Sequence, residues 1–172
     1  MKRFLMIFPL AFVLAVPLGC DGSKMPSEMP KLHPVTIMVT FDDGKPVGDA
    51  IVKFRLTEPV LSRTWLHAGT TDSEGKAKII TDGDFPGLPA GKYTVTIEKY
   101  EIDQKAMESV TAAGQGPPPA GTVIPRFQLV EDAYLDHAKT PLKDVEVKAG
   151  AKEITLSAGK EQRISRPLRP GG

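Results

Sequence analysis

Three histidines, three tyrosines, one tryptophan and one cysteine give this chain most of its chemical repertoire. A hydrolytic triad needs a nucleophile beside an imidazole base and an orienting acid. Ser, His and Asp all occur, but no GxSxG turn is present to expose a strained serine. His67 reads as a strand residue with its ring at a sheet face, and His137, in "YLDHAKT", as a surface-loop residue. Thioethers and imidazole suit Cu(I), and Met25, Met29 and His33 fall within one polar stretch. Two such sulfurs and one ring in a tether read as incidental. Asp82 and Asp84 in "TDGDF" alternate as calcium ligands do, yet an EF-hand loop needs more oxygens and a distant Glu, so a polar turn is expected. Neither a metal nor a cofactor is predicted. The candidate ligand-binding residues are Trp65, Tyr100 and Tyr134, which could form an exposed aromatic platform for a sugar; the competing reading is that Trp65 fills the core.

Cys20 is the only cysteine, and its surroundings give it a different role. Met1, Lys2 and Arg3 precede an uncharged run from Phe4 to Leu18, then Gly19. A positive start, a short apolar stretch and a small residue before the cut describe a secretory signal, too short and wrongly flanked for a spanning helix. "PLGC" resembles the lipobox of bacterial lipoproteins, with Pro17 standing where Leu, Val or Ile is usual. That resemblance implies a diacylglycerol on the Cys20 thiol, cleavage before it and attachment to a membrane. Each buried CH₂ of such chains contributes roughly 0.8 kcal/mol. The alternative is a secreted protein with a free, exposed thiol, which is a chemical liability. Asp21 follows the anchor, and the leaflet is left open.

Charge excludes one class of partner. Lys plus Arg number 22 against 21 for Asp plus Glu, and loss of Lys2 and Arg3 with residues 1–19 takes the net charge from +1 to about −1. Nothing in that balance draws the protein to nucleic acid. Asparagine is absent, which removes N-linked glycosylation and any Lys–Asn crosslink.

The elements that must position these residues are strands. After a tether with Pro26, Pro30 and Pro34, "VTIMVTF" alternates Val35, Ile37, Val39 and Phe41 with Thr36, Met38 and Thr40. "DDGKPVGDA" supplies turn chemistry, and "AIVKFRL" resumes the period with Ala50, Val52, Phe54 and Leu56 inward. "RTWLHAGTTD", "KAKIIT" and "KYTVTIEKY" follow, separated by "DSEG" and "DGDFPGLPAG". Short strands between turns at this spacing predict an all-β sandwich. Residues 101–125 read as a long loop, with Glu101 to Ala113 either a helical turn or a ragged strand edge and "GQGPPPAG" a solvated connector. Val145 and Val147 are expected to face Ile154 and Leu156 in a closing hairpin about Ala149-Gly150.

In order, "VTIMVTFDDGKPVGDAIVKF", "GTTDSEGKAKI", "PAGKYTVTIEK" and "PLKDVEVKAGAKEITL" resemble the carboxypeptidase regulatory-like, or transthyretin-like, β-sandwich domains, notably those carried by short bacterial lipoproteins. The likeness spans Val35 to Leu156 apart from Tyr100 to Val123, and it implies a non-catalytic module. Two enzyme kinds share that fold. The "YRGS" ending of hydroxyisourate hydrolases is absent, and the two-Tyr, two-His iron set of intradiol dioxygenases has no counterpart, because the histidines are scattered in sequence.

The expectation is therefore an all-β protein: a single immunoglobulin-like or prealbumin-like sandwich of about seven strands behind a lipoprotein signal peptide. Its parts are residues 1–19 as signal, 20–34 as lipidated cysteine and tether, 35–158 as sandwich, and 159–172 as disordered tail. The predicted role is a binding or structural module at the cell envelope, anchored to the membrane through Cys20, with an envelope protein or polysaccharide as partner. The alternative is a small-ligand or carbohydrate binder of the envelope.

Overall fold

The computed structural model describes residues 24–58, 64–111, 123 and 125–167. The signal segment, Cys20, residues 59–63, the whole of "GQGPPPAG" and the last five residues lie outside the described residues. Strands dominate: β1 (Leu32–His33), β2 (Thr36–Thr40), β3 (Ile51–Leu56), β4 (His67–Thr70), β5 (Lys76–Lys78), β6 (Ile80–Thr81), β7 (Phe85–Pro86), β8 (Leu88–Pro89), β9 (Gly91–Glu98), β10 (Tyr100–Ile102), β11 (Arg126–Gln128), β12 (Val145–Val147), β13 (Glu153–Ser157) and β14 (Ile164–Ser165). Two short helices, α1 (Gln104–Thr111) and α2 (Asp132–Leu135), complete the described elements. The protein is all-β with several sheets, and its strands are more numerous and shorter than the seven expected.

The largest sheet has the order β12-β9-β3-β4-β6-β7, and a second has the order β13-β2-β5. Residues spaced by two supply their inner faces, as a pleated strand requires. Ile37 and Val39 of β2, Val52 of β3, and Tyr93, Val95 and Ile97 of β9 are all fully buried in one cluster drawn from both sheets. Leu156 of β13 and Val147 of β12 join the same cluster.

The chain changes sheet repeatedly. "DGKPV" makes a tight reversal: Asp43 Oδ1 accepts from the Lys45 amide at 3.0 Å, and Gly44 takes a φ of +83°. Its returning arm pairs only briefly with β2: Lys45 O accepts from the Phe41 amide at 2.8 Å, and the Val47 amide donates to Val39 O at 3.0 Å. The chain then leaves for the other sheet, so β2 and β3 are not hairpin partners. Thr71 secures that crossing, accepting from the Ala50 amide at 2.8 Å and donating to Val47 O at 2.6 Å. "DSEG" turns as its residue types predict: Asp72 Oδ1 accepts from the Glu74 and Lys76 amides, and Gly75 takes a φ of +78°. "KAKIIT" divides at Ile79, with Lys76–Lys78 pairing to β2 and Ile80–Thr81 to β4.

The expected closing hairpin is corrected. β12 pairs antiparallel with β9, whereas β13 pairs parallel with β2. The turn at Ala149-Gly150 carries the chain between sheets, and both arms find a partner edge with a buried inner face, which they would not gain from each other. One further expectation changes. Residues 159–167 are not a loose tail: β14 pairs with β11, and Arg166 Nη2 meets Asp132 Oδ2 at 2.9 Å. Residues 101–125 begin as β10 and α1, while 112–122 and 124 lie outside the described residues.

Candidate functional site

β3 ends at Leu56 and β4 starts at His67, with Thr64 and Trp65 leading into it. Beside that end of the sheet, the segment before β2 folds over as β1 and pairs with β8, placing His33 opposite Leu88. Gly87 permits the approach. A Cβ there would stand 2.7 Å from the His33 carbonyl carbon, and its φ is +110°. The tether's last residues are thus part of the fold, and Met29 is buried. On another side, Asp136 Oδ1 accepts from the Ala138 amide at 2.8 Å, and Thr140 Oγ1 donates to Val95 O at 2.8 Å. These bonds fix the loop carrying His137 against β9.

The segments enclose a cavity of about 600 Å³. Its lining holds all three histidines, His33, His67 and His137, together with Trp65, Leu56 and Pro89 on apolar stretches and Arg55 and Lys31 as cations. Among the described residues no Asp or Glu side chain lines it. Ligand sites of this size are ordinarily apolar with a few directional polar groups. Phe54 pairs with His67 across β3 and β4, so both point to the buried face. Arg55, next along β3, points the other way and is exposed. The cavity therefore wraps round the end of the sheet, with His67, 1% exposed, as its deepest polar group and Arg55 near its mouth.

The hydrogen bonds around His67 determine its tautomer. Thr81 Oγ1 donates its single proton to Gly87 O at 2.7 Å, so at its 2.8 Å contact with His67 Nδ1 it must accept. Nδ1 consequently carries the hydrogen. Burial pushes the imidazole below its ordinary value of 6.5, against a weaker opposing pull from Asp82, so the ring is neutral at pH 7. Its Nε2 is then a lone-pair acceptor, buried and without a hydrogen-bond partner. His137 Nδ1 is likewise buried without one. Burial lowers the His137 pKa, Arg55 and Lys53 lower it further, and Asp136 opposes them.

The residues expected to form an aromatic platform are not so arranged. Trp65 is 5% exposed and Tyr134 8%, so neither offers an open ring face. Trp65 lines the cavity, Tyr134 packs on Gly159, and Tyr100 lies in the β10-β11-β14 sheet under the Arg126 guanidinium at 4.1 Å. Met25 is exposed while Met29 is buried, which separates the two thioethers. Asp82 and Asp84 occupy the turn between β6 and β7. Among the described residues no three His, Cys, Asp or Glu side chains are grouped to hold a metal.

No protein family, curated protein or solved structure matches this chain. The likeness to carboxypeptidase regulatory-like domains therefore rests on the turn-and-strand phrases alone. Among the described residues no helix is long and apolar enough to cross a membrane. Sequence reasoning missed Arg55 and the meeting of the three histidines. The pairing of β1 with β8 and of β3 with β4, with the His137 loop held on β9 through Thr140, brings them to one cavity, and none of these contacts has a local signature.

Proposed function

We propose that the protein is a lipid-anchored, extracytoplasmic β-sandwich module, of the carboxypeptidase regulatory-like kind, that captures a small ligand at the end of its sheets. The observation that carries the reading is the cavity: one tryptophan, three histidines and an arginine meet in a space of ligand size. Two imidazole nitrogens of its lining residues, His67 Nε2 and His137 Nδ1, are buried without hydrogen-bond partners. The signal-like start and "PLGC" support placement at the envelope.

Ligand binding must stabilise the fold that binds. A panel of small acids, sugars and amines should therefore contain compounds that raise the melting temperature of the wild type and leave Trp65→Ala unmoved. A panel that shifts neither protein contradicts the reading. The scaffolding role, with docking through residues 101–125, draws on a separate observation: Ile102 and Val123, near the two ends of that segment, are 50% and 42% exposed. Its deletion should abolish capture of an envelope partner while sparing the small-ligand shift.

A further inference from the structure

Among the described residues the two core sheets have four edge strands, and three of them are blunted against pairing with another chain. β7 is two residues long and ends in Pro86, β5 carries Lys76 and Lys78 at its ends, and β12 is three residues with Glu146 held to Lys148 at 3.4 Å. β13 runs five residues, "EITLS", without Lys or Pro. Its inner edge bonds to β2, where the Thr36 amide donates to Lys152 O at 3.0 Å and the Ala158 amide donates to Thr40 O at 2.8 Å. Bonding direction alternates along a strand, so Ile154 and Leu156 also face β2, while Glu153, Thr155 and Ser157 turn their N–H and C=O groups outward. All three are exposed, and among the described residues no strand pairs with them on that side. We propose that this edge pairs antiparallel with the same edge of a second copy of the chain, about a two-fold axis at Thr155. A two-fold brings one patch onto itself, and centring it on Thr155 is the antiparallel register that pairs all five residues. Thr155 then exchanges hydrogen bonds with its counterpart, and Glu153 with Ser157 of the second copy, so the strand's only charge meets a hydroxyl and not its like. Ile154, half-buried at the margin of the core, falls opposite Leu156 of the second copy in a close apolar pair.

No β13 residue lines the cavity, so this pairing stands apart from the ligand reading. The test is oxidative crosslinking of the full chain carrying Cys20→Ser, in which an introduced thiol is the only one. In Thr155→Cys the two thiols face each other across a hydrogen-bonded pair, with Cα atoms about 5.5 Å apart and within disulfide reach. In Glu153→Cys, also exposed on β13, the same register sets them four residues apart along the strands, roughly 14 Å. Thr155→Cys is expected to form the two-chain species roughly tenfold or more faster than Glu153→Cys, because pairing raises the effective thiol concentration. Equal rates, or no two-chain product, overturn the pairing. In the same Cys20→Ser chain, Thr155→Lys sets two cations opposite each other at an exposed position. It should bring the light-scattering mass from two chains to one with the circular dichroism unchanged. A two-chain mass that survives Thr155→Lys overturns this edge as the contact. A one-chain mass without Thr155→Lys, together with binding of a free "KEITLSA" peptide that Thr155→Lys abolishes, gives the edge to a foreign strand and overturns the second copy as its occupant; a one-chain mass with no peptide binding overturns both.

Discussion

His67 ties folding to pH. Its pKa, like that of His137, is lower in the folded protein than the ordinary 6.5, with burial as the leading cause for each. The unfolded chain therefore binds more protons as pH falls past that value, and stability is lost in the same direction. The part of the stability that these rings contribute is fully present above about 6.5 and declines below it. Thermal melts between pH about 7.5 and 5 should show a falling midpoint, and His67→Gln should flatten the fall. An unchanged slope in the variant would mean that His67 is charged or solvated in the folded state. Thr71 offers a second residue-scale measurement. Thr71→Val leaves the buried Ala50 amide and Val47 carbonyl unpaired, and the expected loss is about 1–3 kcal/mol, read as a lower urea midpoint at unchanged slope.

The turns separate backbone conformation from space at the scale of elements. Gly44 and Gly75 have nearly the same φ, +83° and +78°, but a Cβ at Gly44 meets nothing within 4 Å while one at Gly75 stands 2.5 Å from Val39 O. Gly44→Ala should cost only the left-handed backbone, about 1 kcal/mol. Gly75→Ala should cost clearly more, because the β2 backbone cannot yield; equal losses in denaturant titration would contradict that contact. These turns were legible because Asp-Gly and Asp-Ser-Glu-Gly state their chemistry within four residues. Inner faces were legible too: Ile37 and Val39, Val52 and Phe54, and Tyr93, Val95 and Ile97 alternate as written. Partnership was not. Val145–Val147 and Glu153–Ser157 read as a hairpin because they flank a turn, but each bonds to a strand distant in sequence. A switch made at Ile79 alone leaves no composition to read.

For the whole molecule, the histidines show the same limit. They stand far apart in the chain, and their meeting depends on the β1 segment crossing to β8 over a glycine too crowded to carry a side chain. The Pro-rich tether, read as solvent-exposed spacing, supplies His33 and Lys31 to the cavity wall. On the proposed topology, that segment joins the anchor at Cys20 to the site through only about a dozen residues, so the cavity lies close to the membrane. Cys20→Ser should move the protein from the membrane to the soluble fraction with loss of a lipid-sized mass, and leave ligand affinity unchanged. Retention of membrane association in the variant would reject Cys20 as the anchor.

The claim that this cavity takes a small ligand has a built-in reporter, since Trp65 is the only tryptophan and lines it. The decisive measurement is its emission during titration of the full chain with small acids, sugars and amines. Capture predicts a saturable change in Trp65 emission with a parallel rise in melting temperature for at least one compound. Flat emission throughout the panel, with an unmoved melting temperature, would contradict it.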